Sequence, residues 1–523
     1  MSRSEAGRPL ISIEIELKLA AAAADLTALT RALVAMAPGA VTVRRTLVAT
    51  YFDTPDLALK QAGSILRVRD EEGRFVQTFK TGDFDGANLL TRGEWQDIIA
   101  ENRPDPRAPH SGSLLPERVA GDLHPLFVTE VVRETVVIEP RPGTRIEAAI
   151  DTGEIRAIDN GRSEPISEIE LELEYGDPAA LFDLALRLLE TAPVRIETRS
   201  KSERGYRLVA GDETPPAVHA EPLSLDPRMV VEEAMRRVGR SCLTHMLRNE
   251  PAALAGQPEG VHQMRVAGRR LRSLLSAVKQ LLPEDERRAI ADELAELAAP
   301  LGSARNLDVF AGELLCPLRI EHAAEPGWDA LAAVAEQARA EAYVRVDKEI
   351  LSPRHTRSAL RLLRWFEGRG WRSPQASATP ALLASPIGAS AAGILERRRH
   401  AVRKRGRRFA RLNASERHRL RIAVKKLRYT VELLGSLYDP DDLRRYTNRL
   451  KRVQEDLGHA NDLRVAYGLV IQLSRQAEPA EPVVDAAAQL LAWHERALAR
   501  SERKLRRRLR RLNRAEPFWR NEG

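Results

Sequence analysis

The hydropathy period of this chain changes once, and that break constrains the fold more than any other feature. Up to about residue 208, apolar and polar residues alternate in short runs such as "ISIEIELKL", "SILRVRD", "FVQTFK", "VTEVVRETVVIE" and "ISEIELELEY". A period of two belongs to strands with one buried and one polar face. Gly73, Gly82 and Gly161 separate several of these runs, as turns require. Two stretches, roughly 21–36 and 178–190, have helical spacing instead, the second through Leu181, Leu184, Ala185 and Leu188. From about Arg228 the chain reads helical nearly throughout. "GDETPPAVHAEPLSLDP" (Gly211 to Pro227) is rich in Pro, has no period and marks a boundary; "RSPQASATPALLASPIGAS" (Arg372 to Ser390) divides the helical half. The expected organisation is α+β with two domains. A strand-rich domain spans 10–210, a linker 211–226, and a helical domain 227–512, with halves of about 227–370 and 391–512. Seven or more antiparallel strands with few helices imply a barrel or a strongly curved sheet.

Charge divides along the same line. Of the 523 residues, 1–210 hold 26 Lys+Arg against 34 Asp+Glu, and the remainder holds 56 against 40. An acidic half can hold cations, and a basic half can hold nucleic acid, polyphosphate or a membrane surface. The two cysteines, Cys242 and Cys316, exclude a disulfide scaffold and a cysteine-rich zinc site. No signal-peptide pattern opens the sequence, and no run approaches the ~20 apolar residues that span a bilayer. A cytoplasmic protein without a membrane partner is expected.

The helical half repeats itself. "VHQMRVAGRRLR" from Val261 returns as "RHRLRIAVKKLR" from Arg417, and "LGSARNLDV" from Leu301 returns as "LGHANDLRV" from Leu457. One offset of 156 residues relates both pairs and takes His262 to His418, Arg265 to Arg421, Arg269 to Lys425, Arg270 to Lys426 and Arg272 to Arg428. Two helical bundles related by pseudo-symmetry follow. His262, Arg265 and Arg269 share one helix face. A single such face would be read as solvated; its duplication with the histidine in place points to a ligand. Between Arg397 and Arg428 stand fifteen basic residues and one acidic residue, Glu416, a density that a polyanion would neutralise. Aromatic content of 5% argues against stacking on unpaired bases and against specific nucleic-acid binding.

In the strand-rich half, strand parity sorts the charges. Glu14, Glu16 and Lys18 share a face, as do Arg67 with Arg69, Thr78 with Lys80, Arg92 with Glu94, and Glu168 with Glu170, Glu172 and Glu174. Arg133, Asp151 and Lys201 are single charges in or beside apolar strands. One such strand would be a solvated surface. Several, with mixed sign, imply a shared interior in which carboxylates bind a hard divalent ion and Arg and Lys clamp phosphate oxygens. That combination suits phosphoryl transfer to water.

At these residues the N-terminal half resembles the CYTH superfamily, the triphosphate tunnel metalloenzymes. It carries Glu14-Ile-Glu16-Leu-Lys18, "YFDTP" (Tyr51 to Pro55), "LRVR" (Leu66 to Arg69), "TFK" ending at Lys80, "RGEW" with Arg92 and Glu94, "EIELELE" (Glu168 to Glu174) and "SKSERGY" (Ser200 to Tyr206), in order. The resemblance implies an eight-stranded antiparallel tunnel, Mg²⁺ or Mn²⁺, and hydrolysis of a triphosphate or cyclisation of ATP. It implies metal ligands among Glu14, Glu16, Asp151, Glu168, Glu170 and Glu172. Phosphate would be bound by Lys18, Arg67, Arg69, Lys80, Arg92, Arg133 and Lys201, with Glu14, Glu16, Lys18 and Glu94 as the catalytic set. The helical half resembles the CHAD domain, through its duplicated histidine-plus-basic helices and "LG-x-A-x-x-L" turns. This implies polyphosphate binding by His262, Arg265, Arg269, Arg270, Arg272, His418, Arg421, Lys425, Lys426 and Arg428, with localisation to polyphosphate granules as a further expectation. Inorganic triphosphate is the leading substrate. Thiamine triphosphate, a nucleoside triphosphate, adenylate cyclisation and a noncatalytic polyphosphate binder stay open, as does the oligomeric state.

Overall fold

The structure, a computed structural model, describes residues 15–37, 39–81, 93–115, 119, 121–212, 214–322, 325–372, 380–475 and 480–520. Its strands are β1 (Glu16–Ala21), β2 (Val43–Asp53), β3 (Ser64–Glu71), β4 (Arg74–Thr81), β5 (Gly93–Ile99), β6 (His124–Arg141), β7 (Thr144–Ala157), β8 (Ser163–Tyr175) and β9 (Val194–Ile196). The main helices are α1 (Ala23–Ala35), α2 (Ala179–Thr191), α3 (Lys201–Ala210), α4 (Val231–Leu247), α5 (Pro258–Ala277), α6 (Glu284–Asp308) and α7 (Pro326–Ile350). They continue with α8 (Pro353–Glu367), α9 (Ile387–Gly406), α10 (Ala414–Leu434), α11 (Pro440–Ser474) and α12 (Ala480–Arg514). The chain forms two compact units. One comprises Met1–Pro216 with Leu351–Gly370, the other Ala217–Ile350 with Trp371–Gly523. The first helical half, read from the sequence as running to about 370, thus gives up its last twenty residues to the sheet unit.

In the sheet unit all pairings are antiparallel, in the order β5-β4-β3-β2-β6-β7-β8-β1-β9. Register shifts at Tyr51/Phe52, Ile138/Arg141 and Arg145/Ile146 bend three of the strands. The expected eight-stranded closed tunnel is corrected here: among the described residues there are nine strands, and β5 and β9 do not pair. Closure would need a ladder on β9, which has only three residues. Helix α8 lies against β9 and α2 instead, covering the edge rather than extending the ladder. The outward row expected to be apolar is so: Leu17, Leu19, Ile169 and Leu171 are each at most 2% exposed. α1 and α2 contribute to that core through Leu26, Leu29, Leu33, Leu181, Leu184 and Leu188. α3 begins with a capping box, in which Ser200 accepts from the Glu203 amide and Glu203 from the Ser200 amide, and this fixes the direction in which Lys201 leaves the helix. A Cβ at Gly205 would come within 2.2 Å of the Phe127 ring, so this glycine lets α3 lie on β6.

In the helical unit α5 packs on α4, α6 and α10, and α11 on α10 and α12. The two motif helices, α5 and α10, are therefore neighbours. α10 starts with its own capping box at Asn413 and Glu416. After α6 the backbone widens into one π-helical stretch, Val309–Leu315.

Candidate functional site

Register sets the polar face of the sheet. Glu16 stands opposite Glu172 and Lys18 opposite Glu170 on β1 and β8, Glu168 opposite Asp151 on β8 and β7, and Asp151 opposite Arg133 on β7 and β6. Asp151 and Glu168 are 0% and 1% exposed. Carboxylate oxygens of Asp151, Glu168 and Glu170 lie within 4.8 Å of one another. Cations interleave them. Lys201 Nζ donates to Asp151 Oδ2 at 2.7 Å, to Glu170 Oε1 at 2.9 Å and to Glu168. Arg133 forks onto both Asp151 oxygens at 2.7 and 2.6 Å and also reaches Glu170. Lys18 pairs with Glu16 at 2.9 Å and with Glu170.

These pairings set the protonation states. Burial pushes Lys18, Lys201 and Arg133 down, but neighbouring carboxylates, Glu170 foremost, outweigh it and raise all three. Burial pushes Glu170 up, but Lys18, Lys201 and Arg133 hold it well below the usual carboxylate range. Glu172 is different: burial and the charges of Glu16, Glu147 and Glu170 all raise it. It faces the acidic side, and among the described residues no cation pairs with it, although the charge of Lys80 works against the rise.

Further along the same face stand Arg67, Lys80 and Glu94. Lys80 pairs with Glu94, which lies opposite it in the ladder, and Arg67 Nη2 lies 3.5 Å from Glu94 Oε1. Burial raises Glu94, yet Lys80 and Arg67 bring it down to about 2. Glu94 thus contacts two cations, Lys80 and Arg67. Arg69 is lowered to about 10, chiefly by Arg67 and then by burial. Glu174, the solvated end of its strand, pairs with Arg145 at 2.7 Å. Glu14 and Arg92 lie outside the described residues.

Three neighbours escaped the sequence reading of individual residues. Arg204, 6% exposed, donates to Glu168 at 2.9 Å and to Glu164 at 2.8 Å. It sits three residues after Lys201 on the same helix, a spacing that could have announced it. Glu147 stands opposite Glu172 in the ladder. Tyr51 stacks on Phe127 at 4.5 Å, and its hydroxyl, despite burial, is lowered by Arg67. The rest of "YFDTP" is architectural: Asp53 accepts from Tyr206 Oη at 2.9 Å and from the amides of Thr54, Leu59 and Lys60.

The helical unit concentrates charge of one sign. Arg265 donates to the carbonyls of Leu301 and Gly302 at 3.0 and 2.7 Å, which ties the histidine helix to α6; the LG motifs expected at turns lie inside helices, Leu301–Gly302 in α6 and Leu457–Gly458 in α11. Burial, then Arg269, Arg305 and Arg421, lower it to about 10. Burial, then Arg269 and Arg421, lower Lys425 to about 6. Burial and Arg305 lower His262 to about 4. Burial also lowers Arg421, against Asp462. Both copies thus meet in one cluster. They are not equivalent: Arg421 Nε and His418 Nδ1 are buried without a hydrogen-bond partner among the described residues. Arg272 donates to the Leu294 carbonyl at 2.5 Å, and Arg428 pairs with Glu432 at 2.7 Å. Arg270 is 4% exposed and its charge acts on Cys242 and His245 inside the bundle, so it does not join the basic face. Lys426 turns to a separate group, Arg398, Arg405, Lys279 and Arg287.

The geometry defines a class: a curved antiparallel sheet with a mixed carboxylate–cation face, followed by a helical module with a duplicated basic cluster. Comparison gives the families. The CYTH domain family matches residues 12–206 and the CHAD domain family residues 237–471. The chain belongs to both families, one domain of each. A protein of Haemophilus influenzae called "Inorganic triphosphatase" is 32% identical over 160 residues, 30% of this chain and 45% of that protein. An uncharacterized protein of Mycobacterium tuberculosis is 29% identical over 58% of this chain and 60% of its own length. This chain thus spans about half the length of the curated relatives it matches. The crystal structure of the CHAD domain from the plant Ricinus communis is 30% identical, with a TM-score of 0.50, covering 58% of this chain and 98% of that one. No helix among the described residues is long and apolar enough to cross a membrane.

Proposed function

We propose that the sheet unit hydrolyses inorganic triphosphate to pyrophosphate and phosphate with Mg²⁺ or Mn²⁺, and that the helical unit binds inorganic polyphosphate. One observation carries the first part: three clustered carboxylates meet Lys18, Arg133 and Lys201 on a face that also bears Arg67, Arg69 and Lys80. The donor set fits a hard divalent cation, since Asp151, Glu168 and Glu170 each offer an oxygen within 4.8 Å of the others. Their shared contact with Lys201 marks the point where they already concentrate on one positive charge. A bound divalent ion would offset charge on the phosphate oxygens and acidify a coordinated water.

The protein's own groups do the remaining work. Lys18, Arg133 and Lys201, with raised pKa values, stay cationic and stabilise developing charge without moving protons. Arg67, Arg69 and Lys80 clamp the oxygens of the chain, with Glu94 orienting Arg67 and Lys80. The name of the Haemophilus relative favours inorganic triphosphate over organic ones. For the helical unit, the support is the like-charged cluster of Arg265, Arg269, Arg421 and Lys425, whose lowered members gain from a polyanion.

A panel of tripolyphosphate, ATP, thiamine triphosphate and long polyphosphate, each with Mg²⁺ or Mn²⁺, tests the reading. Phosphate release fastest from tripolyphosphate is expected. Release from none would leave a polyphosphate binder, and cyclic AMP from ATP would make it a cyclase.

A further inference from the structure

Two kinds of cation hold the carboxylates of Asp151, Glu168 and Glu170, and they divide the oxygens between them. Arginines take one oxygen of each. Arg133 Nε donates to Asp151 Oδ1 at 2.7 Å and its Nη2 reaches Glu170 Oε2, while Arg204 Nη1 donates to Glu168 Oε2 at 2.9 Å. Arg204 is itself fixed, by Glu164 Oε1 at 2.8 Å and the Pro165 carbonyl at 2.5 Å. Lys201 takes the other oxygen of each: Asp151 Oδ2 at 2.7 Å, Glu170 Oε1 at 2.9 Å, and Glu168 Oε1. Arg133 also reaches Asp151 Oδ2 and Lys18 also reaches Glu170 Oε1, whereas Glu168 Oε1 meets Lys201 alone among the described residues.

The two kinds differ in freedom. A guanidinium holds its partners through a rigid planar fork, whereas an ammonium is a point charge on a flexible four-carbon stem. Lys201 is therefore the part of this cluster that can move while the carboxylates stay anchored. It starts α3, and its charge is felt at Tyr51, which lies opposite Arg67 in the ladder. Carboxylates and phosphate-clamping arginines are thus both close to it. A hard divalent ion needs the oxygens that Lys201 covers. Mg²⁺ holds carboxylate oxygens at about 2.0–2.1 Å, which leaves no room for an ammonium on the same three atoms.

We propose that Lys201 is an exchangeable partner: it gives up the oxygens of Asp151, Glu168 and Glu170 to a divalent cation and turns its ammonium to a phosphate oxygen, so that metal and phosphate each favour the binding of the other. This rests on the reading that the three carboxylates bind a divalent cation.

The test follows Lys201 itself. Full-length protein is acylated at its lysines with and without Mn²⁺, and Lys201 is compared by peptide mass spectrometry with Lys80, which pairs with Glu94 instead. Mn²⁺ should speed acylation of Lys201 by ~tenfold, the factor imposed by a contact closed about 90% of the time, and leave Lys80 unchanged. Pyrophosphate, added with Mn²⁺ still in excess, should slow Lys201 again. Binding is read separately from free Mn²⁺ by electron paramagnetic resonance. Lys201→Met should bind Mn²⁺ ~tenfold tighter, while Arg69→Ala should stay within ~twofold of the unsubstituted protein. Arg69 is a cation of the same face that pairs with Glu71 rather than with these carboxylates. The exchange is overturned, and the metal site left standing, if Mn²⁺ binds without speeding Lys201, if pyrophosphate does not slow it, or if Arg69→Ala tightens binding as much as Lys201→Met. Mn²⁺ bound by neither the unsubstituted protein nor Lys201→Met would overturn the metal site as well.

Discussion

The two units handle buried charge in opposite ways. In the sheet unit, carboxylates and cations alternate, and each sign holds the other ionised: Lys18, Arg133 and Lys201 are raised while Glu170 and Glu94 are lowered. In the helical unit, cations crowd cations, and burial first, then that crowding, lowers Arg265, Arg421, Lys425, Lys426 and His262. The first arrangement is preorganised and keeps its charges without a ligand. The second stores repulsion that a polyanion would relieve. The sheet unit also has a small region of the second kind, where Arg67 depresses Arg69.

Breaking one partner should therefore have opposite consequences in the two units. Glu170→Gln leaves Lys18, Arg133 and Lys201 short of a shared carboxylate. Loss of about 3–5 kcal/mol of stability is expected from breaking a buried network, with turnover falling at least ~100-fold. Denaturant unfolding and phosphate release check both. Arg421→Ala with Lys425→Met removes two repelled cations. Polyphosphate affinity should drop by about a hundredfold, two charged hydrogen bonds being worth roughly that, while the melting temperature holds or rises. A large fall in melting temperature would mean these side chains serve the fold.

The contrast also predicts a pH signature. Lys425 has a pKa of about 6 in the free protein, and a polyanion would move it back toward its ordinary value. Between those values the bound form holds a proton that the free form lacks. Binding should then take up protons at pH 7–8, and affinity should fall as pH rises above 6. Calorimetry in buffers of different ionisation enthalpy measures the uptake; none would contradict the assignment. The smallest effect belongs to Glu172. Its raised folded pKa means its stability contribution is full below the unfolded value and is lost as pH rises through the folded one. Glu172→Gln should stabilise metal-free protein at pH 7 by less than ~1 kcal/mol given solvent screening, read by denaturant unfolding.

Much of this was legible in the sequence because period two assigns faces. Glu16, Lys18, Glu168 and Glu170 share one polar face as parity required, whereas Arg133 and Asp151 were read as single charges and Lys201 starts a helix, where period two says nothing. What parity does not encode is how a sheet ends: β9 has three residues, too short to announce itself, and the open edge followed from it. Nor does a helical stretch inside a helical region declare which core it enters, so α8 was read with the wrong neighbours. In the motif helices, adjacent basic residues were treated alike. Arg269 and Arg270, like Lys425 and Lys426, are about 100° apart on the helix, and the second of each pair points elsewhere.

Arg69→Ala gives the most direct test of the central claim that the mixed-charge face is a triphosphatase site. Arg69 is depressed by Arg67 and pairs with Glu71 at 3.3 Å, so its removal relieves repulsion and breaks one partly exposed pair rather than the carboxylate network. With tripolyphosphate and Mg²⁺, phosphate release should fall by about 100-fold or more, while the melting temperature stays at or above that of the unsubstituted protein. Unchanged turnover in a folded Arg69→Ala protein would contradict the account.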